Sequence, residues 1–464
     1  MKRAASSDFL GKEPLFPLLM RLSVPAVVGM MVMAMYNIVD SIFVGRGAGS
    51  LALAGLAIAF PVQISLGALG QMVGVGSASI ASRKLGEGKQ DEAEAALGAC
   101  VAFVLILGVL VTGLLAMTLE STLTLFGATD AILPYAKDYV QVLLWAVPLQ
   151  MAAMSTMNLI RAEGNAKKAM NVMLTGIVLN IILDPIFIFV LDMGIKGAAW
   201  ATVIGQAVNF VLVFLYYLRG NSVLKLKREN LKLRFKLIRE IVVLGLPNFV
   251  QMAGTGLIAT IINNLLGSFS GEVAISTYGI ISRLMSFLMM PLGGIAQGFQ
   301  PIAGFNYGAK NYLRVRQVFM LALGLGAGIS LLFFSLVMTF PGALIGLFTT
   351  DPELQAYAIP ALKMFCMATP IIGFQMISSI YFQAIGQARP AMLLGLSRQF
   401  IVLLPMIFLL SHFYQAQGIW VAFPASDLIS VLVTGLVLSF ELRKLNKKIG
   451  EASGSGIEPQ ASGV

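Results

Sequence analysis

The chain has 464 residues, 58% of them hydrophobic and 12% charged, with a net charge of +10 and a mean hydropathy of +0.85. That balance excludes a soluble globular protein, and the apolar runs repeat along the whole length, so the chain reads as an all-α integral membrane protein. The excess of Lys and Arg does not point to nucleic acid, because it segregates by loop.

Stretches of about 20 apolar residues, enough to cross a core of roughly 30 Å, fall near 17–43, 51–80, 95–118, 133–159, 168–191, 195–218, 239–267, 273–303, 317–340, 354–382, 390–412 and 416–441. Twelve transmembrane helices are therefore expected. The N-terminus, MKRAASSDFLGKEPLF, has no apolar core region or small-residue cleavage site, so the first span is expected to do the targeting. The basic stretch 219–238 divides the spans six and six. The expected organisation is an N-lobe (1–218), a cytoplasmic linker (219–238), a C-lobe (239–445) and a disordered, Gly/Ser-rich tail (446–464). With the N-terminus inside, every Lys and Arg falls on the inner side except Arg46, Lys137 and Lys196 outside and Arg283, Lys363 and Arg398 within spans. This positive-inside bias places both termini in the cytoplasm and the protein in the cell (inner) membrane. Cys100 and Cys366 fall inside spans and read as small buried hydrophobes.

The halves repeat. Pro25 matches Pro247 at an offset of 222, which also links Gly45 to Gly267, Gly86 to Gly308, LFG at 125–127 to LFT at 347–349, and RAEGNAKKAM at 161–170 to QAIGQARPAM at 383–392. Such a register marks a duplication. Because each repeat has an even number of spans, two pseudo-symmetric six-helix bundles related by an axis along the membrane normal are expected, which is a transporter plan.

The charges break that symmetry. In span one, MAMYNIVDSIFVGR puts Met33, Tyr36, Asn37 and Asp40 at i, i+3, i+4 and i+7, on one helix face. In span five, Asn180 and Asp184 are i, i+4 neighbours followed by Pro185, which cannot donate to the Ile181 carbonyl and so frees an acceptor beside them. The counterpart of Asp40 is Ile262, and span eleven is apolar at the matching positions. Intramembrane carboxylates are costly and face an interior or an aqueous cavity, where they bind an ion, a proton or a ligand. Asp40 and Asp184 lie at similar depth, and with Asn180 and a hydroxyl from Thr202 they suit one cation site, with two acids too close to ionise together. The plainer readings are an interfacial Asp40 and an Asn180–Asp184 pair that glues helices. Arg283, Lys363, Arg398 and Asp427 either gate or form ion pairs, with pairing favoured. Asn263 and Asn264 line a cavity or pack between helices.

YNIVDSIFVG in span one, NxxxDP in span five, MPLGGIAQGFQPIAGFNYGA in span eight and the repeated RAEGNAKKAM/QAIGQARPAM resemble the MATE (multidrug and toxic compound extrusion) family, over roughly residues 15 to 445. The resemblance implies two lobes that alternate between openings, and export of organic, often cationic or amphipathic compounds in exchange for H+ or Na+. Asp40, Asn180, Asp184 and Thr202 match the family's N-lobe cation site, in a DinF-like arrangement, and would hold Na+ if that is the ion. Met33, Tyr36 and Asn37 fall where its substrate cavity begins. Span seven lacks the acid that some branches carry there. Pro25 and Pro185 are the expected hinges, no cofactor beyond the coupling ion is implied, and a monomer that is not an enzyme is expected. A lipid-linked oligosaccharide flippase of the same superfamily is the alternative. An intramembrane aspartyl protease lacks its YD and GxGD signatures here.

Overall fold

A computed structural model describes residues 7–220 and 222–454. Among these, nine helices are long and apolar enough to cross a membrane, or ten when the bent pair Leu133–Leu143 and Val147–Ala162 (59°) counts as one span. Two of the long helices are double, one broken at Gly271 (φ 67°) and the other at Gln415 (φ 52°). Divided there, they complete the twelve spans of a multi-pass membrane protein. In chain order these are α1 (Leu15–Gly47), α2 (Ser50–Gly86), α3 (Gln90–Met117), α4 (the bent pair), α5 (Ala166–Pro185, then a π-turn Ile186–Val190) and α6 (Gly194–Leu218). They continue as α7 (235–270), α8 (272–308), α9 (Tyr312–Thr339), α10 (Pro352–Phe365 and Thr369–Ala384), α11 (388–414) and α12 (416–454).

The described residues form two compact units, one of 7–10 and 24–249 and the other of 11–23 and 250–454. The dividing line therefore falls inside α1 and α7 and not at the basic linker, and glycine permits this. Gly76 of α2 abuts the start of α7 so closely that a Cβ would lie 2.0 Å from the Ile241 carbonyl oxygen. At its repeat partner Gly298 of α8, a Cβ would lie 2.2 Å from the Ser23 hydroxyl of α1 and 2.8 Å from the Ser23 backbone nitrogen. In the second unit the core gathers Ile262, Leu266, Ile281, Leu362, Ile407 and Trp420. The acid Asp427 of α12 accepts a 2.7 Å bond from Nε of Arg398 on α11, so these two are a structural ion pair.

Residues 446–454, expected as part of a disordered tail, continue α12 as helix; the remainder of that tail lies outside the described residues. The stretch ELRKLNKKIGEA is rich in helix formers and adds a Lys447–Glu451 pair one turn apart, which local Gly content alone obscures.

The linker is a docked strap. Lys227 pairs with the buried Glu94 at 2.7 Å and with Asp91 at 3.1 Å, both in the first turns of α3, and Gln90 donates to the Val223 carbonyl at 3.0 Å. The Glu163 carboxylate, between α4 and α5, accepts from the Val223 N–H at 2.9 Å and from the Tyr216 hydroxyl at 3.0 Å. Burial pushes Glu163 up to about 8, against those two bonds, which favour its charged form.

Two outcomes follow. The folded first unit holds the Glu163 proton more tightly than the unfolded chain, so strap protection is greatest near the unfolded carboxylate value and falls as pH rises toward about 8. Hydrogen exchange at 222–231 measured across that range should show the fall in wild type and lose it in Glu163→Gln. Arg398→Gln leaves Asp427 buried and uncompensated, and should cost about 3 kcal/mol in thermal unfolding, with Arg398→Met/Asp427→Leu recovering most of it.

Candidate ion and substrate site

Close packing of α5 on α6 builds the site. A Cβ at Gly205 of α6 would come within 2.9 Å of the Gly176 carbonyl oxygen of α5, and one at Gly197 within 2.8 Å of the Phe187 backbone. Small residues at these crossings let two backbones approach, as membrane helices require in the absence of a hydrophobic drive between them. Thr202 lies between these two glycines on α6 and faces Asn180. On the other side of α5, Phe43 of α1 packs edge-on against Phe189, with ring centroids 6.3 Å apart. Pro185 ends the regular helix directly after Asp184, and the chain proceeds as a π-turn in which the Leu191 N–H bonds the Ile186 carbonyl at 2.9 Å. π-turns inside helices recur at functional sites because they re-aim side chains and leave acceptors less fully used.

Asp40, Asn180, Asp184 and Thr202 come together in the first unit. Asp184 is fully buried, Asn180 and Asp40 nearly so, and Thr202 is half-buried. The Asp40 and Asp184 carboxyls lie within hydrogen-bonding reach of each other. With its NH2 turned to Asp184, Asn180 donates to Oδ2 at 2.8 Å, while its oxygen accepts from the Thr202 N–H at 2.9 Å and lies 3.2 Å from Thr202 Oγ1. Thr202 Oγ1 also reaches the Ala198 carbonyl at 3.1 Å, so its one proton serves two acceptors in turn.

A bond between two carboxyls needs a proton on one of them. When that proton leaves, two anions face each other in a low-dielectric setting, and a cation must replace it. Oδ1 of Asp40 and Oδ1 of Asp184 are buried without a hydrogen-bond partner, which leaves acceptors for such a cation. The donor set is all oxygen (carboxylate, amide and hydroxyl), the chemistry of a hard ion such as Na+.

Tyr36 and Asn37 lie half-buried on the helix face that carries Asp40, with Met33 exposed beyond them. The Tyr36 hydroxyl lies close to Thr202. Two further residues join: buried Tyr139 of α4 also lies close to Thr202, and its hydroxyl accepts from Gln63 Nε2 of α2 at 3.0 Å. Neither stands in a sequence pattern that marks it. Pro25 lies inside α1, which continues as helix through it.

The MatE family model matches this chain twice, over residues 25–186 and 247–409, so the two matches start at the repeat partners Pro25 and Pro247. Among curated relatives, the multidrug export protein MepA of Staphylococcus haemolyticus (strain JCSC1435) is 26% identical over 436 residues, covering 94% of this chain and 96% of its own. Among solved structures, a MATE in complex with MaD3S is 25% identical, covering 95% of this chain and 99% of its own at a TM-score of 0.88. A chain described as protein A is 39% identical, covering 96% and 99%, at a TM-score of 0.87. The duplicated match takes in well over half of the residues, and the chain belongs to the MatE family of transporters.

Proposed function

We propose that the protein is a secondary active multidrug efflux antiporter that exports organic compounds in exchange for H+ or Na+. The observation that carries the reading is the buried Asp40–Asp184 pair with its two unpartnered oxygens. The relatives named as multidrug export proteins support it, and the same names disfavour a lipid-linked flippase. The positive-inside bias supports a cell-membrane protein with both termini in the cytoplasm, so that Asp40, near the far end of α1, sits toward the outside. We take the protein to work as a monomer.

In this account the coupling ion enters the pair from outside, and Asn180 and Thr202 hold it. Asn180 reorients as Asp184 gains or loses charge, and the π-turn after Pro185 absorbs the change in α5 with the least loss of backbone bonding. Pro25 gives α1 the corresponding freedom. Tyr139 and Gln63 keep the Thr202 hydroxyl aimed into the site. Substrate and ion bind in competition, so each weakens the other by the same factor.

Proteoliposomes loaded with a fluorescent organic cation test this, with an imposed proton gradient or an imposed sodium gradient. One of them should drive efflux in wild type. Asp40→Asn and Asp184→Asn should each reduce it to the passive leak, and the double variant should be no worse than either single one. Efflux by neither gradient, or full activity in both variants, would sink the antiporter. Gly205→Val should separate α5 from α6 and lower gradient-driven efflux by about tenfold or more while the protein still folds. Efflux at the wild-type rate would show that the α5–α6 approach does not set the site.

A further inference from the structure

The second unit holds a cation that the ion site does not use. Arg283 of α8 is exposed and makes no ion pair among the described residues, contrary to the pairing that the sequence favours over gating. Two buried acids of this unit are already engaged: Asp427 by Arg398 at 2.7 Å, and Glu441, near the end of α12, by Gln387 at 2.8 Å. Glu272 lies beside the turn at Gly271, about 16 Å away along the helix.

Depth and company decide what Arg283 faces. It lies roughly a dozen residues, or about 18 Å, from the Gly271 turn, near the middle of a core of about 30 Å, beyond reach of either interface. An unpaired guanidinium there faces water, because facing lipid tails would cost several kcal/mol. The exposed stripe that carries it is polar and small: Ser276, Gly279, Arg283 and Ser286 follow at i, i+3, i+7 and i+10. On α7, Thr260 is exposed at the same distance before the turn, and Asn264 follows it. Lys363 of α10 provides the contrast. Its exposed stripe is Ala356, Pro360 and Met367, an apolar face along which a long side chain can snorkel outward.

We propose that Arg283 is the centre of an oxyanion-recognition subsite, which takes an amphipathic substrate bearing a carboxylate or sulfonate. The guanidinium supplies paired donors in the plane of a carboxylate, and the Ser and Gly residues beside it leave room for the group to approach. Phe287 and Ile275, exposed on either side of the stripe, offer apolar surface for the rest of the molecule. The mid-core depth rules out a bilayer headgroup in its usual place. As a statement of substrate class, this rests on the export reading above.

The test compares two forms of one rhodamine dye, one with a free benzoate and the other its methyl ester. Binding to purified protein in neutral detergent is followed by fluorescence anisotropy. Arg283→Gln should weaken the benzoate form about tenfold and leave the ester within about twofold, and Arg283→Lys should recover part of the loss. Ser286→Leu, which crowds the guanidinium without removing its charge, should discriminate in the same direction and serves if Arg283→Gln does not fold. Equal weakening of both dyes, or no change in either, overturns the subsite. If the discrimination is seen but no gradient moves either dye in proteoliposomes, the export reading fails and the subsite stands.

Discussion

Two carboxyl groups in hydrogen-bond contact inside a membrane protein require one positive charge between them, and the rest of the first unit is arranged around that requirement. Asp40 comes from one helix and Asp184 from another, so the proton or cation that satisfies the pair also ties α1 to α5. Removing it leaves two facing anions, and the helices must then part or take up another cation. A small local exchange of charge thereby becomes a reason for helices to move. Asn180 and Thr202 extend the constraint into α6, and Tyr139 and Gln63 extend it into α4 and α2.

The two halves of the duplication divide the chemistry. The first unit keeps an acid pair and a proline-linked π-turn. The second has Ile262 where the first has Asp40, Asp427 neutralised by Arg398, and a guanidinium, Arg283, that has no ion pair among the described residues. Both units still use the same packing device, shown by the repeat partners Gly76 and Gly298, each of which leaves no room for a Cβ beside a neighbouring helix. The backbone plan is thus shared while the polar side chains diverged, as expected when helix crossings are set by small residues and function by the few charges that low dielectric makes decisive.

The twelve spans, the duplication and the four polar residues that meet in the first unit are all legible in the sequence, because hydropathy, register and intramembrane charge are local signals. The double helices at Gly271 and Gln415 are consistent with that count. Tyr139 and Gln63 are not legible, because their role comes from helices far apart in sequence and the residue types alone occur in many spans. The strap over α3 was read as a linker because its basic residues signal topology, while the buried carboxylates that hold it, Glu94 and Glu163, are distant in the chain. For Arg283 the sequence favours an ion pair over gating and cannot decide, for the same reason: whether a charge has a partner is a tertiary fact. The helical course of 446–454 was masked by the neighbouring Gly and Ser residues.

The central claim is that one proton is shared by Asp40 and Asp184 and is displaced when a cation binds. The most direct measurement is proton release from purified protein in weakly buffered detergent, followed with a pH indicator, on addition of Na+ or of an organic cation. The account predicts release of about one proton per chain by wild type and none by Asp184→Asn. Equal release by both proteins, or none by wild type with either cation, would contradict it.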